Sequence, residues 1–153
     1  MRTRAFIITV FLLTSLGSLF AQQLEYRDGY YFKDGMLYTG THTEYYENGN
    51  PRVIRNIKDG SEHGKVILFH SNGQKNEERN YSMGRKEGTW ISWSEDGVKI
   101  AEASYKDDQK HGNWYVWDHN GVKRYEMNYL EGRKAGTWYM WNEQGELVNK
   151  REY

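Results

Sequence analysis

Six tryptophans are the residues whose type and spacing best suit a binding chemistry. Trp90 and Trp93, Trp114 and Trp117, and Trp138 and Trp141 stand three apart in GTWISWSEDG, GNWYVWDHNG and GTWYMWNEQG. An open indole face takes a sugar ring, a partner chain or a cationic head group, the last at about 0.5–2 kcal/mol per ring. Packed against one another, the same rings hold a chain together, each pair adding about 0.5–1.5 kcal/mol beyond area burial. Packing is the simpler role for each column. A candidate binding surface arises if one column packs and the other stays open. Residues three apart in a regular strand face opposite ways, so either each strand is bulged or both faces of a sheet carry aromatics.

Two lysine columns accompany them: Lys75, Lys99 and Lys123, and Lys86, Lys110 and Lys134. Such columns are either solvated surface or a basic rail for an acidic partner or a glycan carboxylate. Glu95, Asp96 and Glu143 near the turns would dilute the field. His63 and His111 share a repeat position, which raises a metal. In one sheet they lie four strands apart, roughly 19 Å. Ligands of one metal lie within about 4 Å of each other, so no metal site is expected. His42, His70 and His119 occupy other positions. The chain has no Cys and no Gly-x-Ser-x-Gly elbow, phosphate-binding loop or His-Glu-x-x-His motif. Asp107 and Asp108 fall in a link and shape a turn. The expectation is a non-enzyme without a cofactor.

The elements that position these columns follow from an internal repeat. A glycine opens each copy at Gly40, Gly64, Gly88, Gly112 and Gly136, and another closes it at Gly49, Gly73, Gly97, Gly121 and Gly145, always 24 residues apart. An aromatic column follows at Tyr81, Tyr105, Tyr129 and Tyr153, with Ile57 in the first copy. A third glycine column, Gly60, Gly84 and Gly132, has Asp108 in the fourth. Each copy reads as one hairpin. Its first strand is the aromatic run, its second extends from about Val98 to Tyr105 in the third copy, and polar links join the copies. Asn48-Gly49, Asn72-Gly73, Asp96-Gly97 and Asn120-Gly121, with Gln144-Gly145, predict type I′ turns. With 16% aromatics and one Pro in 153 residues, the reading is an all-β array.

The runs YSMGRKEGTWISW, YKDDQKHGNWYVW and YLEGRKAGTWYMW share Tyr-x-x-Gly-x-x-x-Gly-x-Trp-x-x-Trp, apart from Asp108. Over residues 26–153 the chain resembles the bacterial variant of the MORN repeat, a family that also carries an antitoxin-like label. The resemblance implies an elongated single sheet or solenoid of stacked antiparallel β-hairpins. Residues 22–35 read as an N-terminal cap with an Asp34-Gly35 turn. Five repeats follow at 36–59, 60–83, 84–107, 108–131 and 132–153. The first two depart from the pattern, with His42 and Tyr45, then Val66 and Phe69, in place of the tryptophan pair. A looser similarity links the Gly–Trp hairpins to choline-binding cell-wall modules, whose repeat is shorter.

Residues 1–21 are of another kind. Arg2 and Arg4 precede an apolar run from Ala5 to Leu19, and Ala21 is a small residue at a cleavage point. This is the pattern of a secretory signal peptide helix, and the run is short for a span of about 20 apolar residues. Its removal leaves 19 basic and 21 acidic residues, a net charge of −2. No basic excess remains for nucleic acid or an anionic leaflet. The expected product is periplasmic or secreted, with no transmembrane segment after processing. It acts as a protein-interaction scaffold of the envelope. The alternatives are a cell-wall or surface-glycan module using an open Trp column, with peptidoglycan as the partner, or an antitoxin, which needs its toxin in the same compartment. Charge at Asn149-Lys150-Arg151-Glu152 opposes edge pairing, while an edge-to-edge dimer stays open.

Overall fold

The computed structural model describes residues 24–153. The expected signal peptide lies outside them. Every described element is a strand. Three form a small antiparallel sheet at the start: β1 (Glu25–Arg27), β2 (Tyr30–Lys33) and β3 (Met36–Leu37). A twelve-stranded sheet follows. Its elements are β4 (Gly40–Tyr45), β5 (Pro51–Lys58), β6 (Ser61–Phe69), β7 (Lys75–Ser82), β8 (Arg85–Lys86) and β9 (Gly88–Trp93). Then come β10 (Lys99–Lys106), β11 (Gln109–Lys110), β12 (Gly112–Trp117), β13 (Lys123–Leu130), β14 (Arg133–Trp141) and β15 (Leu147–Glu152). The strands pair in chain order from β4 to β15, with the short β8 and β11 pairing off the main path with β7 and β10. The sheet is therefore a run of antiparallel hairpins, each paired to the next.

The turns correct one expectation. At the closing glycine of the first copy, Gly49 N–H donates to the Tyr46 carbonyl at 3.0 Å and Tyr46 N–H to the Asn50 carbonyl at 2.9 Å. The same pattern recurs at His70, Ser94, Asp118 and Asn142. Of the loop residues only the glycine has positive φ, +85° at Gly49 and +80° at Gly97. These are three-residue loops, a type I turn closed by a glycine bulge, and not type I′ turns, which need positive φ at both central residues. The type I′ geometry lies in the links instead. Asp59-Gly60, Met83-Gly84, Asp107-Asp108 and Glu131-Gly132 all have both φ values positive, and two-residue hairpins close over them. Asp108 stands in for glycine at φ +66°, and its Oδ1 accepts the Lys86 N–H at 2.8 Å. Short polar side chains that bond locally tolerate this region best.

The cap docks on the first link. Tyr31 N–H donates to the Gly60 carbonyl and Gly60 N–H to the Tyr38 carbonyl, both at 2.8 Å. Close by lie the hydrophobic residues that are fully buried: Val66 at 2% exposure, and Val53 and Ile57 at 3%. The tryptophan-bearing strands have none of this kind. A sheet of one layer has no second layer to bury a face against, so most of its side chains remain half-exposed.

Glycine positions separate backbone strain from packing. A Cβ added at Gly132 (φ +79°) would meet nothing within 4 Å, whereas one added at Gly60 (φ +77°) would meet the Tyr31 carbonyl oxygen at 3.2 Å and Leu37 Cδ2 at 2.6 Å. Gly132→Ala is expected to cost about 1 kcal/mol by conformation alone. Gly60→Ala should cost measurably more, because it also pushes the cap off. Urea midpoints of the two variants, with cap proteolysis as a second readout, check this; equal losses would contradict the docking role.

Candidate functional site

Strand β9 pairs with β10 in unbroken register from Gly88 to Ser92. The break that follows, between Ser92 and Trp93, puts its extra residue, Ile100, in β10; β9 itself is not bulged between Trp90 and Trp93, so the two tryptophans face opposite ways. The register breaks lie beside them: after each three-residue loop, as between Lys99 and Ala101, and around the opening glycine, as between Glu126 and Asn128 where β13 meets β14. Both faces of the sheet bear aromatics.

On one face the rings form a ladder: Tyr81, Trp90, Tyr105, Trp114, Tyr129, Trp138 and Tyr153. Successive centroids are 5.2, 5.0, 5.1, 5.3, 5.2 and 4.7 Å apart. Interplanar angles of 52–64° tilt each ring against the next, and the Tyr105–Trp114 contact is edge to face, an arrangement ring quadrupoles favour over a face-to-face sandwich. The opening glycines make the ladder possible. Gly88, Gly112 and Gly136 have positive φ, and at each the pairing with the preceding strand is interrupted just before the tryptophan. The indole closes the gap. Trp90 Nε1–H donates to the Asn80 carbonyl at 2.9 Å, Trp114 to Ser104 at 2.9 Å and Trp138 to Asn128 at 3.0 Å. Six ring contacts at about 0.5–1.5 kcal/mol each are comparable with the whole net stability of a domain, about 5–15 kcal/mol.

In the first two copies the ladder positions pass to His42, Ile57 and Val66, of which Ile57 and Val66 are buried. Beside them Arg55 reaches Glu44 and lies with Nε 3.2 Å from Glu62 Oε1, without the alignment of a hydrogen bond. Its guanidinium carbon is 5.9 Å from the Tyr31 ring. Burial pushes the Tyr31 phenol up to about 12, and burial also raises Tyr81 and Tyr105.

The other face carries Trp93, Trp117 and Trp141. Trp117 is 5.7 Å from Tyr115, and Trp141 stacks on Tyr139 at 5.8 Å. Their indole N–H groups make no hydrogen bond to a described residue, unlike those of the ladder.

Each lysine column belongs to one face. Lys75, Lys99 and Lys123 lie over Trp93, Trp117 and Trp141 at 5.5, 4.5 and 4.6 Å. Each also bonds a carboxylate three residues on: Lys75 to Glu78 at 2.9 Å, Lys99 to Glu102, and Lys123 to Glu126 at 2.6 Å. Hydrogen bonds from Lys65 and Lys75 hold the Glu78 carboxyl below its usual range. This column is neutralised in place. Glu95, Asp96 and Glu143, expected to dilute the field, are exposed at the loops; two of them approach only His70 and Arg124, each at 4.0 Å. Lys86, Lys110 and Lys134 sit on the ladder. Lys86 lies 5.0 Å from both Trp90 and Tyr105, Lys110 4.3 and 4.8 Å from Trp114 and Tyr129, and Lys134 4.5 Å from both Trp138 and Tyr153. None of the three has a carboxylate within 4.0 Å among the described residues.

Four tandem matches to the MORN repeat variant model cover residues 38–59, 62–83, 86–107 and 110–131. The chain belongs to the MORN repeat variant family. Beyond the matched segments, β14 and β15 build a further hairpin on the same plan, and its Trp138 and Tyr153 complete the ladder. No curated protein matches the chain. A solved structure described as the crystal structure of the GtfA/B complex bound to UDP and GlcNAc aligns with 74% of this chain and 23% of its own, at 18% identity and a TM-score of 0.30.

The MORN-variant residues that spacing alone does not single out are the glutamates Glu78, Glu102 and Glu126, and the tyrosines as ring partners. The 24-residue recurrence of both columns was the available signal; which tryptophan each would touch depended on the register. No group of three or more His, Cys, Asp or Glu able to hold a metal gathers among the described residues. His63 Nδ1 instead lies 3.3 Å from the Met83 backbone N–H.

The two tryptophan columns should differ on substitution. Trp114→Ala removes two ring contacts and a hydrogen bond and should cost about 3 kcal/mol. Trp117→Ala should cost about 1 kcal/mol or less, both read from urea unfolding; equal costs would show that both columns pack alike. Tyr31 gives a pH prediction. Folding favours its neutral phenol, so that contribution is complete below pH 10 and is lost as pH rises towards about 12. Phenolate absorbance should show late-titrating tyrosines, and Tyr31→Phe should remove one of them.

Proposed function

We propose that the protein is an exported, non-enzymatic MORN-variant scaffold that presents its sheet to another protein of the cell envelope. The observation carrying this reading is the single-layer sheet with aromatic rings half-exposed on both faces. Contiguous exposed apolar surface of this kind marks interaction sites. The cavities along it are open depressions, about 150 Å³ beside Trp138 and Tyr153 and about 350 Å³ beside Trp93. Export rests on the character of residues 1–21.

A second reading has one observation in its favour. The indole N–H groups of Trp93, Trp117 and Trp141 have no partner among the described residues, and their rings are suited to stacking sugars, which would make the protein a wall or surface-glycan module. Cross-linking in the native cell, then purification of the tagged protein from the envelope fraction, tests both readings. A stoichiometric protein partner is the expected result, and an exported toxin as that partner would make the antitoxin role the specific one. Wall fragments retained without protein would replace the scaffold with the glycan reading.

A further inference from the structure

The two lysine columns differ in one respect that bears on what the surface binds. Lys75, Lys99 and Lys123 have their charge answered by Glu78, Glu102 and Glu126. Lys86, Lys110 and Lys134 do not. Each is directly opposite a ladder tyrosine in register, Tyr81, Tyr105 and Tyr129, and rests on a tryptophan and the following tyrosine. The rings hold the ammonium by its charge; among the described residues the one partner of its N–H donors is the Tyr153 hydroxyl, 3.3 Å from Lys134. The column position before Lys86 is Glu62, which is turned to Arg55 and Tyr31. The row of free charge therefore begins where the aromatic ladder begins.

Its spacing is set by the sheet. Consecutive lysines are two strands apart, about 9.6 Å at about 4.8 Å per strand. Backbone bonds between neighbouring links, from Asp108 N–H to the Lys86 carbonyl and from Gly132 N–H to the Lys110 carbonyl, hold that interval. A polyproline II segment has three residues per turn and a rise of about 3.1 Å, so one face recurs about every 9.3 Å. An extended β-strand repeats a face at about 6.8 Å, and an α-helix returns at about 10.8 Å over two turns; both fall out of step over three sites. Aromatic surfaces are also the usual seat of proline-rich segments.

We propose that the ladder face binds an acidic polyproline II segment, with a carboxylate at every third residue. Three such carboxylates meet Lys86, Lys110 and Lys134, and the intervening prolines lie on the Tyr–Trp rings. The segment crosses the strands along the ladder. This specifies the partner chemistry of the scaffold reading and rests on it.

The test is titration of the purified protein, by calorimetry and tryptophan fluorescence, with a synthetic peptide of four Glu-Pro-Pro triplets. Two control peptides are Gln-Pro-Pro triplets and an alternating Glu-Pro peptide of equal charge. The triplet acidic peptide should bind, more weakly as salt rises, and at least about tenfold tighter than either control. Each of Lys86→Gln, Lys110→Gln and Lys134→Gln should weaken it by up to about fivefold, and the triple variant should abolish it. Lys75→Gln, Lys99→Gln and Lys123→Gln together should leave it unchanged. The triple Lys→Arg variant of the ladder row keeps charge and ring contact and should retain binding, which guards against loss by misfolding. Equal binding of the two acidic peptides would overturn the proposal. So would binding of polygalacturonate through the same lysines without binding of the triplet peptide, which would make the row a glycan site. If no peptide binds while envelope cross-linking still recovers a protein partner, this inference fails and the scaffold reading stands.

Discussion

The indole N–H of each ladder tryptophan, donated to a carbonyl of the preceding strand, is the contact on which the tryptophan-bearing copies depend. A one-layer sheet cannot exclude water by stacking against a second layer, and backbone pairing alone contributes modestly in water. The opening glycines Gly88, Gly112 and Gly136 make matters locally worse, because the pairing with the preceding strand breaks there. Trp90, Trp114 and Trp138 repair that break with their N–H and at the same time bring a large ring against the tyrosines on either side. Phenylalanine could supply the ring but not the donor. The first two copies, which lack tryptophan there, find stability another way. The cap strands close over the first link, and Val53, Ile57 and Val66 supply the buried aliphatic cluster that the rest of the sheet lacks.

The arrangement of turns follows from the same need. Both ends of each hairpin must hold a fixed register, because each ladder ring has to meet its neighbours at about 5 Å. The links do this with two-residue turns, whose twist matches that of the strands. The loops at the other end take three residues, and their bulge shifts the register by one. Side chains also tie one loop to the next. Asn48 Nδ2 donates to the Ser71 carbonyl at 2.8 Å and Asn72 Nδ2 to the Glu95 carbonyl at 2.9 Å. Repeat proteins gain cohesion from such nearest-neighbour contacts, and here they run along both edges of the array as well as through the ladder.

Charge is distributed by face. The surface with Trp93, Trp117 and Trp141 is lined by lysine–glutamate pairs, so its aromatic rings lie in a locally neutral setting. The ladder face combines arginine, lysine and rings, with Arg79 5.2 Å from Trp90 and Arg151 5.0 Å from Tyr153. Glu77 answers Arg79 at 2.6 Å, so in a chain whose formal net charge is zero it is the row Lys86, Lys110 and Lys134 that stands without a carboxylate within 4.0 Å among the described residues. Net charge describes the average and conceals that separation.

Much of this architecture was legible in the amino-acid sequence. Glycines at exact 24-residue intervals, aromatic runs between them and turn dipeptides after them determine a hairpin array, because few other structures tolerate so many left-handed positions in register. The two tryptophan columns were equally visible, and alternation along a strand allowed only a bulge or two aromatic faces. The tertiary structure decided between these, since a bulge depends on pairing with a neighbouring strand and not on local sequence. It also decided which turn is type I′. Asn48-Gly49 and Asp59-Gly60 have similar local propensities, and the choice falls to whichever loop length lets both flanking strands continue to pair. The partners of the lysines were beyond sequence for the same reason. Lys75 and Lys86 are alike as residues, and what separates them is that β7 places Glu78 beside the first while β8 places the rings of Trp90 and Tyr105 beneath the second.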